Sequence, residues 1–487
     1  MKEEQVILVD ENDKVVGYAP KMAAHEQALL HRAFSVFIFN DQGELLLQQR
    51  AAHKYHSPKL WTNTVCSHQR KSESNLTAGK RRLDEEMGLK ADLEEIFHFI
   101  YKAPFDNGLT EHELDHVMIG FSNDTPVINK DEVMAYRWAT LEDIKKDINQ
   151  NPNQYTEWFK IIFKNSFDKL LDKLETHFLS QSIKFDPIFK EKPWGGQKLK
   201  TILNKPIPSD KTGESWEVSD VPNNISVVKE GYFKGQNLED LIHKFRTKLV
   251  GKKVYHQFNC TFPLLIKYID ANDDLSIQVH PDDALAKAKH NSFGKNELWH
   301  IIQADEGAVI YLGFKKGVNK QDYLNGLKYQ NLSDLLNKIA VKPGDTFYIP
   351  AGTVHAIGKG VLLAEVQQTS DVTYRIYDWG RVGLDGQPRQ LHIEEALEAI
   401  DFQALVISKN DSFIETPYFK IEKLNLDKDL KQDMSKLDSF VILMNIDGQF
   451  NINGQNFNKG ETLFLPAIIN NLDIKVQEKG QILKTYL

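Results

Sequence analysis

At 487 residues the chain is too long for one ordinary hydrophobic core, so two to four domains are expected. Its net charge of −8 has both signs interspersed and no basic stripe, which argues against a nucleic-acid partner. The longest apolar runs, such as FSVFIF, are strand-sized and argue against a membrane span, while the two distant cysteines, Cys66 and Cys260, suit free thiols in a reducing cytoplasm.

The first residues, MKEEQVILVDEND, are charged and then strand-like, unlike a signal peptide. Residues 5–18 read as a strand, a DEND turn and a second strand. FSVFIFN (34–40), a DQG turn and ELLLQQ (44–49) read as a β-hairpin. A proline-containing loop leads to WTNTVCSH at 61–68. NLTAGKRRLDEEM (75–87) has helical apolar spacing, and Gly88 ends it. Strands are expected at 94–101, 113–121 and 132–138, and helices at 141–148 and 154–178. The result is an α+β domain that ends near residue 180. After SQSIKF, strand and turn signals dominate. The helical exceptions are 238–245, 321–327, 332–339 and 392–400. The junction has no Gly/Ser- or Pro-rich spacer, so the halves are joined by a few residues.

GDTFYIPAGTVH (344–355) organises the later half. Its apolar and aromatic residues suit a buried strand, and Pro350 and Gly352 turn the chain sharply. His355 follows the turn, on a rigid rim from which an imidazole can act as a metal ligand. KPGDTFYIPAG returns as NKGETLFLPAI (458–468), with Ile468 in place of Gly352 and Asn471 in place of His355. Two related β-barrels are expected, one with a surviving site.

Upstream, LSIQVHPDD places Gln278 and His280 two apart, on one face of a strand. With Glu297 in GKNELW and His355, the set is two imidazoles, a carboxylate and an amide oxygen. Nitrogen and oxygen ligands without thiolates suit Zn²⁺ or another borderline ion. FKEKPWGG, FPLLIK, LSIQVHPDD, GKNELW, PGDTFYIPAGTVHAIGKG and SDVTYRIYD resemble cupin-type mannose-6-phosphate isomerases, in their short form, over about 183–487. That resemblance implies an all-β double cupin of jelly-roll barrels with a few helices. It implies zinc on Gln278, His280, Glu297 and His355. It also places Arg375, Ser276, Lys295 and Glu365 in an active site for aldose–ketose exchange. The base that takes the C2 proton is left between Glu365 and Lys295. The bland reading of Arg375 is an ion-pair partner for Asp371 or Asp378.

The first half has its own set: His25, His31, Cys66, His68, Glu111 and Glu113, with Glu85 and Glu86 on the helix. Cys66 and His68 are two apart, as are Glu111 and Glu113, so each pair shares a face on a strand. Three imidazoles and two carboxylates suit Mg²⁺, Mn²⁺ or Zn²⁺. Glu73 and RRLDEEMGL resemble a Nudix box, with Ser67 at its leading glycine and Arg82 at one of its carboxylates. That loss argues for holding a diphosphate intact rather than hydrolysing it. AAHEQALLHRAFSVFIFN, LLLQQRAAHKYHSPKLWTNTVCSH, RRLDEEMGL and YKAPFDNGLTEHELDHV resemble isopentenyl-diphosphate isomerases of the Nudix-fold kind over about 3–175. The resemblance implies an α+β Nudix fold, a mixed sheet with helices. It implies a divalent metal on His25, His31, His68, Glu111 and Glu113. Cys66 and Glu113 are implied as proton carriers on opposite faces of the substrate, with Tyr101 beside them. Glu86 is implied as a ligand to a second Mg²⁺ bridging to the diphosphate, and Cys66 is counted among the metal-binding residues as well. Lys21, Arg50, Lys54 and Arg82 surround the diphosphate, and Trp158 faces the hydrocarbon end.

The expectation is a cytoplasmic bifunctional isomerase acting on small molecules. Its domains are 1–178 (Nudix fold), 183–390 (catalytic cupin) and 391–487 (degenerate cupin). It would interconvert isopentenyl and dimethylallyl diphosphates, and mannose 6-phosphate and fructose 6-phosphate. Two alternatives are a chain with only one half active, the other binding a ligand or serving as scaffold, and a first half that is a Nudix diphosphate hydrolase.

Overall fold

The computed structural model describes residues 4–403 and 412–487. The chain divides into two units, Met1–Phe178 and Leu179–Leu487.

The first unit is built on a nine-stranded mixed sheet. Its central strand, His31–Phe39, is buried at nearly every position, as a strand covered on both faces must be. It pairs in parallel with Thr110–Phe121 and antiparallel with Val65–Ser67. The helix Asn75–Met87 begins where the Ser74 side chain accepts from the Thr77 N–H. It ends at Gly88, whose φ of 63° is the left-handed conformation of a helix stop. Ala78, Leu83 and Met87 on this helix share a buried cluster with Phe34, Val36 and Met118 of the sheet. Packing against the sheet fixes where the helix carboxylates sit. The final helix, Glu157–Leu179, is not one straight rod. Ser166 has a non-helical φ of −136° within it, which the apolar pattern did not signal.

The second unit is dominated by antiparallel sheet. One six-stranded sheet runs Ile188–Glu191, Thr212–Val218, Leu264–Ala271, Val361–Gln368, Glu297–Ala304, Thr346–Ile349. A five-stranded sheet runs Leu336–Ala340, Val309–Phe314, His355–Ile357, Ile277–Val279, Tyr374–Tyr377. Trp299, Ile301 and Leu363 of the first join Ile310, Leu312 and Ile357 of the second in one core. A seven-stranded sheet between Phe413 and Tyr486 has its own core, including Val441, Phe450, Leu463 and Ile474.

The sequence echo is a structural repeat. Gly344 (φ 89°) precedes the strand Thr346–Ile349, and Gly460 (φ 82°) precedes Thr462–Leu465 at the same spacing. His355 opens one strand of the first barrel, and Asn471 opens its counterpart in the second.

One expected helix is absent. Residues 332–339 form a 3₁₀ turn, Leu332–Leu335, followed by the strand Leu336–Ala340 on Val309–Phe314. Leu332 and Leu336 are four apart, which reads as helical. Both reach the core that holds Phe314, and a turn followed by a strand satisfies that spacing equally well. The helix Asp283–His290, capped by Asp282, was not anticipated.

Candidate active sites

In the first unit, parallel pairing sets His31 directly beside Glu113. His25 comes from the short helix Lys21–Glu26, and His68 follows the strand Val65–Ser67. One ligand atom from each of these four buried residues lies within 4.8 Å of the others. His31 Nε2 is 3.2 Å from His68 Nε2, and Glu113 Oε1 is 3.0 Å from His68 Nε2 and 3.4 Å from His31 Nε2. The tautomers follow from the outer contacts. Nδ1 of His25 faces the Lys21 carbonyl at 2.8 Å, and Nδ1 of His31 faces the Leu29 carbonyl at 2.8 Å. A carbonyl only accepts, so each Nδ1 carries the hydrogen and each Nε2 turns a lone pair inward. His25 Nε2 is buried without a hydrogen-bond partner. Such a donor set fits a divalent ion.

Glu111 groups instead with His25 and His56, again within 4.8 Å. The Tyr101 hydroxyl lies 2.7 Å from Glu113 Oε2 and 3.0 Å from Glu111 Oε2, joining the two carboxyls. Burial and then the Glu113 charge push the Glu111 carboxyl well up. Burial acts on Glu113 too, but His31 and His68 outweigh it and hold that carboxyl well below its ordinary range. The two carboxyls are thus pushed in opposite directions by their surroundings.

Cys66 and Glu86 lie outside both groups. Cys66 Sγ is 4.0 Å from Arg50 Nη1. Burial pushes its thiol up, so it keeps its proton. Glu86 is buried, pushed up by burial, and held by Arg82 Nε at 2.9 Å and Gln48 Nε2 at 3.0 Å. Lys54 pairs with Glu132, which Arg82 also reaches at 3.3 Å. The Arg50 guanidinium stands 5.3 Å from the Trp158 ring, and the indole N–H donates to Asn63 at 3.3 Å. Lys21, Arg50, Lys54 and Arg82 line the same cavity as Cys66, Glu86, Tyr101, Glu111, Glu113 and Trp158.

In the second unit, Gln278 sits opposite His355 on one neighbouring strand and opposite Arg375 on the other. His280, Glu297 and His355 are buried, with one ligand atom each within 4.8 Å. His280 Nε2 is 3.1 Å from Glu297 Oε1, and His355 Nε2 is 3.6 Å from Glu297 Oε2. The Gln278 amide end lies 3.3 Å from His355 Nε2. Nδ1 of His280 faces the Val372 carbonyl (3.0 Å) and Nδ1 of His355 the Thr353 carbonyl (2.9 Å), which again turns both Nε2 atoms inward. Glu297 Oε2 is buried and has no hydrogen bond. This set also fits a cation. Lys295 supplies positive charge there, with Nζ 2.8 Å from His280 Nε2 and against Glu297. Burial and then Lys295 lower His280 to about 3, so its ring is neutral at physiological pH. Burial pushes Glu297 up, but Lys295 and His280 hold it well below the ordinary carboxylate range.

Ser276, Gln278, Lys295, Glu365 and Arg375 line one cavity. Glu365 is pinned by Lys267 (2.7 Å) and the Trp299 N–H (2.6 Å), and burial pushes its carboxyl up. Arg375 is not spent on Asp378, which Arg381 and Arg389 hold instead. Its Nη1 donates to the Gln390 carbonyl at 3.0 Å, and its Nε is buried without a hydrogen bond. The ion-pair reading of this arginine is therefore not the one realised with Asp378.

Residues 29–159 match the model of the NUDIX domain. Residues 182–298 match that of the phosphomannose isomerase type I catalytic domain, and 409–487 that of the mannose-6-phosphate isomerase cupin domain. The isopentenyl-diphosphate Delta-isomerase 2 of Aromatoleum aromaticum is 49% identical over 156 residues, 32% of this chain and 82% of that protein. The mannose-6-phosphate isomerase of Streptococcus mutans is 36% identical over 301 residues, 58% of this chain and 93% of that protein. The crystal structure of the mannose 6-phosphate isomerase from Bacillus subtilis superposes with a TM-score of 0.56 at 32% identity. It covers 63% of this chain and 99% of its own. The chain belongs to two families, isopentenyl-diphosphate isomerase and mannose-6-phosphate isomerase, one after the other.

In the isopentenyl-diphosphate isomerase unit, sequence reasoning missed His56. It is buried, 3.5 Å from Glu111 through Nε2, and stacked on Phe105 at 5.0 Å. Burial and then Arg50 lower its pKa to about 3. Its only signal was its place in AAHKYHSPK, two residues after Lys54. Glu132, which gathers Lys54 and Arg82, was also missed. In the mannose-6-phosphate isomerase unit the omissions are Lys267, Lys192 and Glu214, all lining the cavity. A lysine inside the apolar run FPLLIKYI was a readable signal, because an uncompensated buried ammonium is costly.

Proposed function

We propose that the chain is a bifunctional isomerase. Its first unit interconverts isopentenyl and dimethylallyl diphosphates, and its second interconverts mannose 6-phosphate and fructose 6-phosphate. Family membership supports each half. The observation that carries the reading is the presence of two separate buried imidazole–carboxylate clusters, each beside its own cavity. The domains are read as 1–178, 183–390 and 391–487.

In the first unit, His25, His31, His68, Glu111 and Glu113 would hold Mg²⁺ or Mn²⁺, with Zn²⁺ a further candidate. Glu86 would hold a second ion at the diphosphate, with Cys66 near it. A bound divalent ion supplies positive charge that neutralises the diphosphate and strengthens nearby acids. The residues do the rest. Alkene protonation needs an acid kept from water, and the Cys66 thiol retains its proton through burial. Glu113 is the opposing proton carrier, and Tyr101 orients it through the 2.7 Å contact. Lys21, Arg50, Lys54 and Arg82 anchor the diphosphate by charge and hydrogen bonds. Trp158 offers an indole face to the tertiary cation.

In the second unit, Gln278, His280, Glu297 and His355 would hold Zn²⁺. A bound zinc ion polarises the substrate oxygens where enediolate charge develops. Arg375 presents a guanidinium to the sugar phosphate or the developing oxyanion, and Ser276 lines its approach. Lys295 and Glu365 are the proton carriers. Burial and then the Glu297 charge push the Glu365 carboxyl up, which favours its protonated form over that of an ordinary carboxylate.

The test is to strip metal from the full chain and assay both conversions as Mg²⁺, Mn²⁺ and Zn²⁺ are returned singly. Each activity should disappear on stripping and return with its own metal preference. An activity that survives complete metal removal would remove the metal role from that half.

A further inference from the structure

The strand Thr110–Phe121 carries a second set of polar residues. Alternation turns Glu111 and Glu113 to the site described and His116 to the opposite face. His116 is buried and lies directly across from His98 on Leu93–Pro104, with ring centroids 5.3 Å apart. Glu95 and His98 are three apart and would normally face opposite ways on a strand. A β-bulge between Glu95 and Phe97 shifts the register, so that Glu95 pairs with Met118 and joins His98 on the His116 face. Glu95 Oε1 comes within 2.6 Å of His116 Nδ1. One ligand atom from each of Glu95, His98 and His116 lies within 4.8 Å of the others.

The surroundings hold this set in place. Asp13 Oδ2 lies 3.3 Å from His116 Nε2, and that nitrogen is buried with no hydrogen bond of good geometry. Arg32 Nε fixes Asp13 through the other oxygen at 2.7 Å. Asn75 Nδ2 donates to Glu95 Oε2 at 3.1 Å. A carboxylate behind a ring nitrogen, with the other nitrogen facing further ligands, is the outer support typical of a metal-bound imidazole.

We propose that Glu95, His98 and His116 form an additional divalent-metal site, with Asp13 orienting His116. Two imidazoles and one carboxylate without a thiolate select borderline ions of the Zn²⁺, Co²⁺ or Ni²⁺ class over Mg²⁺. Glu95 and His98 are exposed, so water completes the coordination. The site would clamp two strands on the sheet face opposite Glu111 and Glu113.

The full chain, stripped of metal, is titrated with Co²⁺ alone, and bound ions are counted by equilibrium dialysis and by the visible absorption of Co²⁺. His98→Ala and Glu95→Gln each replace an exposed side chain outside both active sites. The expected result is one fewer Co²⁺ ion bound per chain in each variant, with both isomerase activities within about twofold of the parent. Equal numbers of ions in parent and both variants would overturn the proposal and leave His116 as a charged clamp between Glu95 and Asp13.

Discussion

His31 and Glu113 are register partners on two parallel strands, and Nε2 of one stands 3.4 Å from Oε1 of the other. Sheet pairing alone brings these distant parts of the sequence together. Gln278 and His355 repeat the device across an antiparallel pair in the second unit. Ligands placed on paired strands lose little entropy on binding, because the sheet has already fixed them.

Trp158 tests the carbocation. Its indole lines the first cavity beside Cys66. A desolvated cation–π contact of about 2 kcal/mol corresponds to roughly 30-fold in rate. Trp158→Ala should lower kcat for the diphosphate isomerisation by about that factor, and Trp158→Phe by less. Steady-state kinetics on both substrates checks this, with the sugar-phosphate activity unchanged.

Gly352 tests the turn that presents His355. Its φ is 84°, and a Cβ there would lie 3.0 Å from the Ala399 carbonyl oxygen. Its N–H also donates to the His280 carbonyl at 2.9 Å. Gly352→Ala should cost about 1 kcal/mol or more through backbone strain. Thermal unfolding should show a lower Tm, and dialysis should show weaker zinc retention in the second unit.

Asp220 gives a pH dependence. Burial raises its carboxyl to about 6 from the ordinary 3.8, even though it accepts a 2.7 Å hydrogen bond from the Phe262 N–H. With the folded value above the unfolded one, the folded state binds the extra proton. Stability should fall as pH rises from about 4 to about 6 and then level off. Asp220→Asn keeps the acceptor and removes the ionisation. Its Tm relative to the parent should rise between pH 4 and pH 7 in thermal scans of the full chain.

Much of both sites was legible because ligand chemistry restricts residue type. Few residue types offer a cation the nitrogen and oxygen atoms that Gln278, His280, Glu297 and His355 gather, and the strand spacing put the first two on one face. The two-barrel repeat was legible because both turns need glycine at positive φ, at Gly344 and Gly460. What was missed depends on tertiary placement. His56 looks like its neighbour His53 until folding stacks it on Phe105. Glu214 becomes part of a site only when Lys192 stands 3.0 Å away. The segment 332–339 carries helical spacing, but the open edge of Val309–Phe314 recruits its second half as a strand. Cys66 and Glu86 line the same cavity as His68 and Glu113 but stand outside the first imidazole–carboxylate cluster, because helix and strand packing separates them from the imidazoles.

Two independent active sites predict that each activity can be removed alone. Both conversions should be measured on the full chain carrying Cys66→Ala and, separately, His280→Ala. Cys66→Ala should lower the diphosphate isomerisation by about 10³-fold or more and leave the sugar-phosphate isomerisation intact. His280→Ala should do the reverse, with loss of zinc from the second unit. A variant that keeps the activity assigned to its own half, or that abolishes both, would contradict the assignment.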